Sequence, residues 1–309
     1  MILRKLLIVP IFFIFLNNIS FGLEIKIKAE IDNLIITNID IENERKYLIF
    51  LNPKLKELNK EDLNYIAKNS LIREIIKEKE IKKFFDINKK YKIVDKIEKN
   101  LLLKKNIKKN ELINLLNANN MDYLQIRKKL KVEALWNQLV YKKYFKNIKI
   151  NKEIMRERII KQFKNSKKKY EYNLSEIVFE EKTNENYEET FKKIINNIKN
   201  IGFENTANIL SISNTSKNGG FIGWISELQI SEKIKNKIKK LKINEVSDPI
   251  KIPNGYLIVK LNNKKEFGQK IDVEKELKKL IKHETNKQLN NFSMIFYKRL
   301  KQNTEIDEY

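Results

Sequence analysis

The chain contains no cysteine and a single histidine, His283, among its 309 residues. Without thiols there is no disulfide framework and no cysteine nucleophile, and with a single imidazole as well, structural zinc, iron–sulfur clusters and histidine-containing triads are excluded or nearly so. No metal and no cofactor is therefore expected, and with no phosphate-binding loop no nucleotide either. Glycine and proline are also scarce, at 7 and 4 residues. From Leu23 to Ile201 there is no glycine and only Pro53, which points to long helices with few tight turns, while residues 202–268 hold most of the turn formers.

Lysine is abundant. Lys+Arg number 64 against 40 Asp+Glu, a formal charge of +24. The lysines are spread through every segment alongside many isoleucines and asparagines, and short runs such as Lys167-Lys168-Lys169 do not form a stripe with interleaved aromatics. The charge therefore reads chiefly as solvated background. It leaves weak contact with an anionic membrane surface open, and makes nucleic acid an unlikely partner. Hydrophobic residues at 41 % suffice for a core, and the length suggests about two domains.

Residues 1–22 read as a secretory signal: Arg4 and Lys5, the apolar run Leu6–Leu16, then Ser20-Phe21-Gly22 at the cleavage spacing. The apolar run is short of the roughly twenty residues that span a bilayer, so cleavage and release are expected. The next segment alternates at Ile25, Ile27, Ala29 and Ile31 and turns at Asp32-Asn33, as a hairpin would. Thr37 and Asp40 fit a capping box for a helix to about Leu51. Helices are expected at Lys60–Phe85, Lys109–Asn119, Asp122–Phe145 and Lys152–Asn165. The aromatics Trp136, Tyr141, Tyr144 and Phe145 sit at helical spacing and are read as core.

From Tyr170 the pattern changes. Tyr172–Phe179 reads as a strand; Phe191, Ile194, Ile195 and Ile198 as a helix face; Phe203–Leu210 as a second short helix. A glycine-rich loop leads into a strand at Phe221–Trp224, a helix follows with Ile230, Ile234, Ile238 and Leu241, then a turn and short strand at Asn244–Pro249 and a strand at Tyr256–Leu261. Three motifs punctuate this order: Asn-Gly-Gly-Phe-Ile-Gly-Trp at 218–224, Asn-Glu-Val-Ser-Asp-Pro-Ile at 244–250 and Asn-Gly-Tyr at 254–256.

With these motifs, residues 170–265 resemble the parvulin (PpiC-type) peptidyl-prolyl isomerases. The flanks, a signal, a helical amino-terminal region and a long final helix at Asp272–Gln302, are similar to SurA-type periplasmic chaperones. The resemblance implies an α+β architecture: residues 23–168 a helical chaperone domain, 169–266 a parvulin-like domain with a small antiparallel sheet, and 267–309 a helix packing back on the first domain. His283 falls off the apolar face of that helix and is expected on the solvated surface.

In active parvulins the family pattern has a histidine on the first strand, an Asp or Cys before the Gly-Gly turn and a second histidine on the last strand. Here those positions carry Glu176, Ser213 and Leu257. The proline-pocket positions correspond to Ile222, Ile230 and Ile234, the last where an aromatic is usual. Leu257 can neither donate nor accept, and Glu176 is expected to turn toward Ser175 and Ser213. The resemblance thus implies an exported, periplasmic chaperone for unfolded outer-membrane or secreted proteins, with isomerase activity weak or absent. An active isomerase is the alternative, and an exported basic protein binding nucleic acid or anionic lipid a remote one.

Overall fold

The computed structural model describes residues 24–165, 169–180, 187–253, 255–267 and 272–309. The proposed signal, the lysine run at 167–168, Asn254 and Gly268 lie outside the described residues. No described helix is long and apolar enough to cross a membrane.

The chain opens with a hairpin, β1 (Ile27–Ile31) and β2 (Leu34–Thr37), turned at Asp32, whose φ of 51° an aspartate tolerates. The capping box forms: the Asp40 amide donates to Thr37 Oγ1 at 3.2 Å and the Thr37 amide to Asp40 Oδ2 at 2.8 Å. It starts α1 (Asn38–Leu51), which is followed by α2 (Lys60–Ile81), α3 (Lys92–Lys105), α4 (Lys109–Ala118), α5 (Tyr123–Tyr144) and α6 (Lys152–Asn165). Helix α3 is absent from the sequence expectation. Its Tyr91 start has no side-chain cap, so the usual signal is missing, and only the Asn106 left-handed stop marks it.

The second region is β3 (Lys169–Phe179), α7 (Tyr187–Leu210), β4 (Phe221–Ser226), α8 (Glu232–Ile238), β5 (Ile250–Ile252) and β6 (Gly255–Phe267). Gly202, at φ 81°, breaks α7 into two helical pieces, matching the two helices read from the sequence. The strands form one antiparallel sheet in the order β4-β3-β6-β5. The short strand expected within Asn244–Pro249 lies later, at β5: Pro249 has no amide to give a ladder, so pairing starts after it, and Val246 contributes only an isolated bridge to Lys260.

Last come α9 (Val273–Gln302), capped by Asp272, and β7 (Ile306–Glu308), which the sequence reading did not foresee. β7 pairs antiparallel with β1, giving a sheet in the order β2-β1-β7. The α9 helix lies against α5, where Trp136 stacks on Phe296 at 5.2 Å and Tyr144 on Phe292 at 5.0 Å. Tyr141 and Phe145 stack on each other but stay about half exposed, at 46 % each, so only part of the aromatic row is core.

His283 is half-buried, not solvated. It follows Leu280 by three residues and so borders the stripe that Leu277, Leu280 and Ile281 bury against Ile159. Burial lowers its pKa, as does Lys287, against an opposing pull from Glu284. The architecture is α+β, as expected.

Candidate functional site

Alternation along β3 decides what each residue faces. Tyr172, Leu174 and Val178 share one side of the sheet with Ile225, Ile230, Leu257 and Val259, against which Ile222 and Ile234 pack. Ile177 and Phe179 face the other way, onto Ile194, Phe203 and Ala207 of α7. Glu176 has the parity of the first set, so it lies on the face that carries Ile222, Ile230 and Ile234.

The loop after α7 delivers the polar groups. Ser213 caps a short turn, Asn214–Asn218, that ends on Gly219 in the left-handed region. From that turn Ser213 Oγ donates to Glu176 Oε1 at 2.6 Å, and Thr215 Oγ1 donates to the same oxygen at 3.0 Å. Gly220 completes the junction: at φ 75° its carbonyl accepts from the Glu176 amide at 2.8 Å, and a Cβ there would lie 2.1 Å from the Glu176 carbonyl oxygen.

Glu176 and Ser213 are therefore in contact. Ser175 is not part of the group: it points to the opposite side, where Asn262 Nδ2 donates to its hydroxyl at 2.9 Å. Leu257 stands opposite Val178 and Ile250, two pairs along the ladder from Glu176, and is buried at 8 % exposure. Ile230 is buried, whereas Ile222 and Ile234 are only partly covered and leave an apolar surface for a ligand. Thr215 was missed by the sequence reading, although a second hydroxyl two residues after Ser213 in a turn was a usable signal.

The chemistry available follows from this inventory. The Ser213 and Thr215 hydroxyls both lie within hydrogen-bond distance of Glu176 Oε1 and 2.9 Å from each other, so the polar groups of this cluster are engaged with one another. The apolar surface beside it is made of branched aliphatic carbon, with Ile222 and Ile234 partly covered and Ile230 buried. Among the described residues no cluster of acidic or imidazole groups could hold a metal.

A separate cleft of about 420 Å³ opens between the sheet and α9, lined by Ile212, Ile252, Pro253, Tyr256, Met294 and Ile295 with Lys251 and Lys298 at its rim. It lies at the β5 end of the sheet, with Ile212, the neighbour of Ser213, in its lining.

This sheet, its Gly-Gly turn and its apolar face define a rotamase domain: residues 167–263 match the PPIC-type PPIase domain family. The chain carries a parvulin-type domain of that family. Among curated proteins it is similar to the foldase protein PrsA of Bacillus subtilis (strain 168), 40 % identical over 77 residues, which is 25 % of this chain and 26 % of the relative. The match thus spans about a quarter of that relative's length. Among solved structures it is similar to PrsA of Bacillus anthracis, at 20 % identity and a TM-score of 0.31, over 77 % of this chain and 98 % of that one. It is also similar to a structure from work on PEB4 and the periplasmic protein Cj1289, SurA-like chaperones of Campylobacter jejuni. There the identity is 16 % and the TM-score 0.38, over 92 % of this chain and 98 % of that one.

Proposed function

We propose that the chain is an exported, periplasmic chaperone of SurA type that holds unfolded outer-membrane or secreted proteins, with a parvulin-like domain that isomerises proline weakly or not at all. In this reading residues 23–168 with 267–309 form the client-holding body and 169–266 the rotamase-type domain. The observation that carries it is the Glu176 cluster: the apolar wall persists while the two family imidazoles are replaced by a carboxylate, already satisfied by Ser213 and Thr215, and by a buried leucine. A reversible holder needs only accessible apolar surface to compete with client aggregation, and no nucleotide. The lysine excess would raise encounter rates with acidic clients in a salt-dependent way.

Two assays on the full chain test this. Aggregation of an unfolded outer-membrane protein is expected to be suppressed near equimolar ratio, while isomerisation of a proline tetrapeptide stays close to the uncatalysed rate. Proline-peptide turnover well above background that vanishes in Ile234→Arg would instead establish an active isomerase, the reading that the surviving isoleucine wall favours.

A further inference from the structure

The two walls of the Ile222/Ile230/Ile234 pocket are each gripped by the helical body, through different helices. The first wall is the Ser213–Asn218 turn that holds Glu176. Its Lys217 reaches across to the Glu133 carboxylate on α5, which also accepts from Lys77 of α2 at 3.1 and 3.0 Å. In the same turn Asn214 Nδ2 donates to Asn290 Oδ1 of α9 at 3.3 Å. The second wall is the Glu227–Gln229 turn and Ile230. The Arg158 guanidinium of α6 donates to the Ile230 carbonyl, and Leu228 is buried among Ile159, Leu277 and Leu280.

These anchors are not independent of one another. Helix α9 supplies Asn290 to the first wall and Leu277 and Leu280 to the second, and is itself fixed to α5 by a buried bond from Trp136 Nε1 to Ser293 Oγ at 2.8 Å. Helix α7, which lies behind the sheet, sends Ile201 and Ile209 into the core around α1 and α2, and its Glu204 pairs with Lys54 at 2.8 Å. The support under both walls is one continuous set of packed helices.

We propose that Glu133 and Arg158 are positioning residues for the peptide pocket: each holds one wall on the helical body, and because α9 joins the two anchors, loosening either loosens both. The inference rests on the reading that this pocket takes a proline-containing or apolar peptide segment. It makes the pocket's shape a property of the whole chain, so that a client seated on the body and a segment seated in the pocket influence each other through the same contacts.

The test is amide hydrogen exchange across 213–220 and 226–230 in the full-length protein, comparing wild type with Lys217→Met and Arg158→Met. Each variant is expected to raise exchange about tenfold at both walls, with Lys217→Arg restoring the wild-type pattern and the central β3–β6 amides of Ile177 and Ile258 unchanged. Variants that loosen only their own wall would overturn the proposal. If a variant does not fold, wild type at high salt replaces it: screening of the partly exposed Glu133–Lys217 pair must then loosen both walls, and loosening of 213–220 alone refutes the coupling. Anisotropy of a fluorescent proline peptide, with Ile234→Arg as control, reports separately on the pocket. Peptide binding indifferent to Ile234→Arg would remove the proposed function while the exchange data still judge the coupling.

Discussion

The Trp136 indole nitrogen donates to the Ser293 hydroxyl at 2.8 Å, joining α5 to α9 across 157 residues of sequence inside a wholly buried site. The indole is completely covered and stacks on Phe296, so its N–H has no recourse to water. Ser293→Ala leaves that donor unpaired and is expected to cost about 1–3 kcal/mol. Urea unfolding followed by Trp136 fluorescence, in a Trp224→Phe background, measures it.

Gly220→Ala should be among the most damaging single-carbon changes in the rotamase-type domain. The added Cβ meets the Glu176 carbonyl oxygen at 2.1 Å, and the backbone sits at φ 75°, where L residues are strained. A loss above about 2 kcal/mol is expected, together with faster exchange of the Glu176 amide. Thermal unfolding and amide exchange report the two effects.

Lys129 is mostly buried between two carboxylates, Glu44 at 2.7 Å and Glu74. Burial lowers its pKa, yet the two acids outweigh that and raise it overall. Lys129→Met would leave Glu44, with its side chain 1 % exposed, without a counter-charge. A loss of about 3–5 kcal/mol at pH 7 is expected, smaller in Lys129→Met/Glu44→Gln, and a denaturant double-mutant cycle gives the coupling.

The Lys77–Glu133–Lys217 triad gives two pH windows. Burial alone would raise the Glu133 carboxyl, but the Lys217 and Lys77 ammoniums prevail and hold it well below the usual carboxylate range. The unfolded state therefore binds more protons as pH falls below about 4.5, and the stability Glu133 contributes is full above that pH and lost in acid. Glu133→Gln should cost stability at pH 7 and progressively less at pH 4 and 3. For Lys77, burial pushes the pKa down to about 8 against the pull of Glu133. Between about 8 and the ordinary lysine value the unfolded state again holds more protons, so wild type should gain stability relative to Lys77→Met as pH rises through that range. Urea midpoints at pH 7.5 and 10 check the sign.

Features whose partners are near in sequence were legible; those whose partners are remote were not. The Thr37–Asp40 box, the Asp32 turn and the Gly219–Gly220 junction are set by three or four consecutive residues, and each appears where its residues dictate. The order of strands and helices from β3 to β6 was readable because alternation and helical spacing change sharply there. β7 was not: three residues, Ile306–Glu308, carry no strand signal of their own and become one only because β1 offers a free edge. Within the site, contact of Glu176 with Ser213 follows from shared placement at a sheet face and its adjoining turn. Thr215, Glu133 and Arg158 find their partners 39, 84 and 72 residues away, a separation at which side-chain type says nothing about neighbour.

The pairing of Ala29 with Glu308 sets an order of events during synthesis. A chain emerging amino end first can complete the β3–β6 sheet once Phe267 is out, since all its partners lie within that stretch. The hairpin at Ile27–Thr37, though made first, must wait for almost the entire chain before its open edge is covered and Trp136 gains its roof from α9. Until then the β1 edge at Ala29, Glu30 and Ile31 presents unpaired backbone, a surface prone to bind strands of other chains. A protein proposed to shield unfinished chains from one another passes, in its own biogenesis, through the condition it is proposed to relieve.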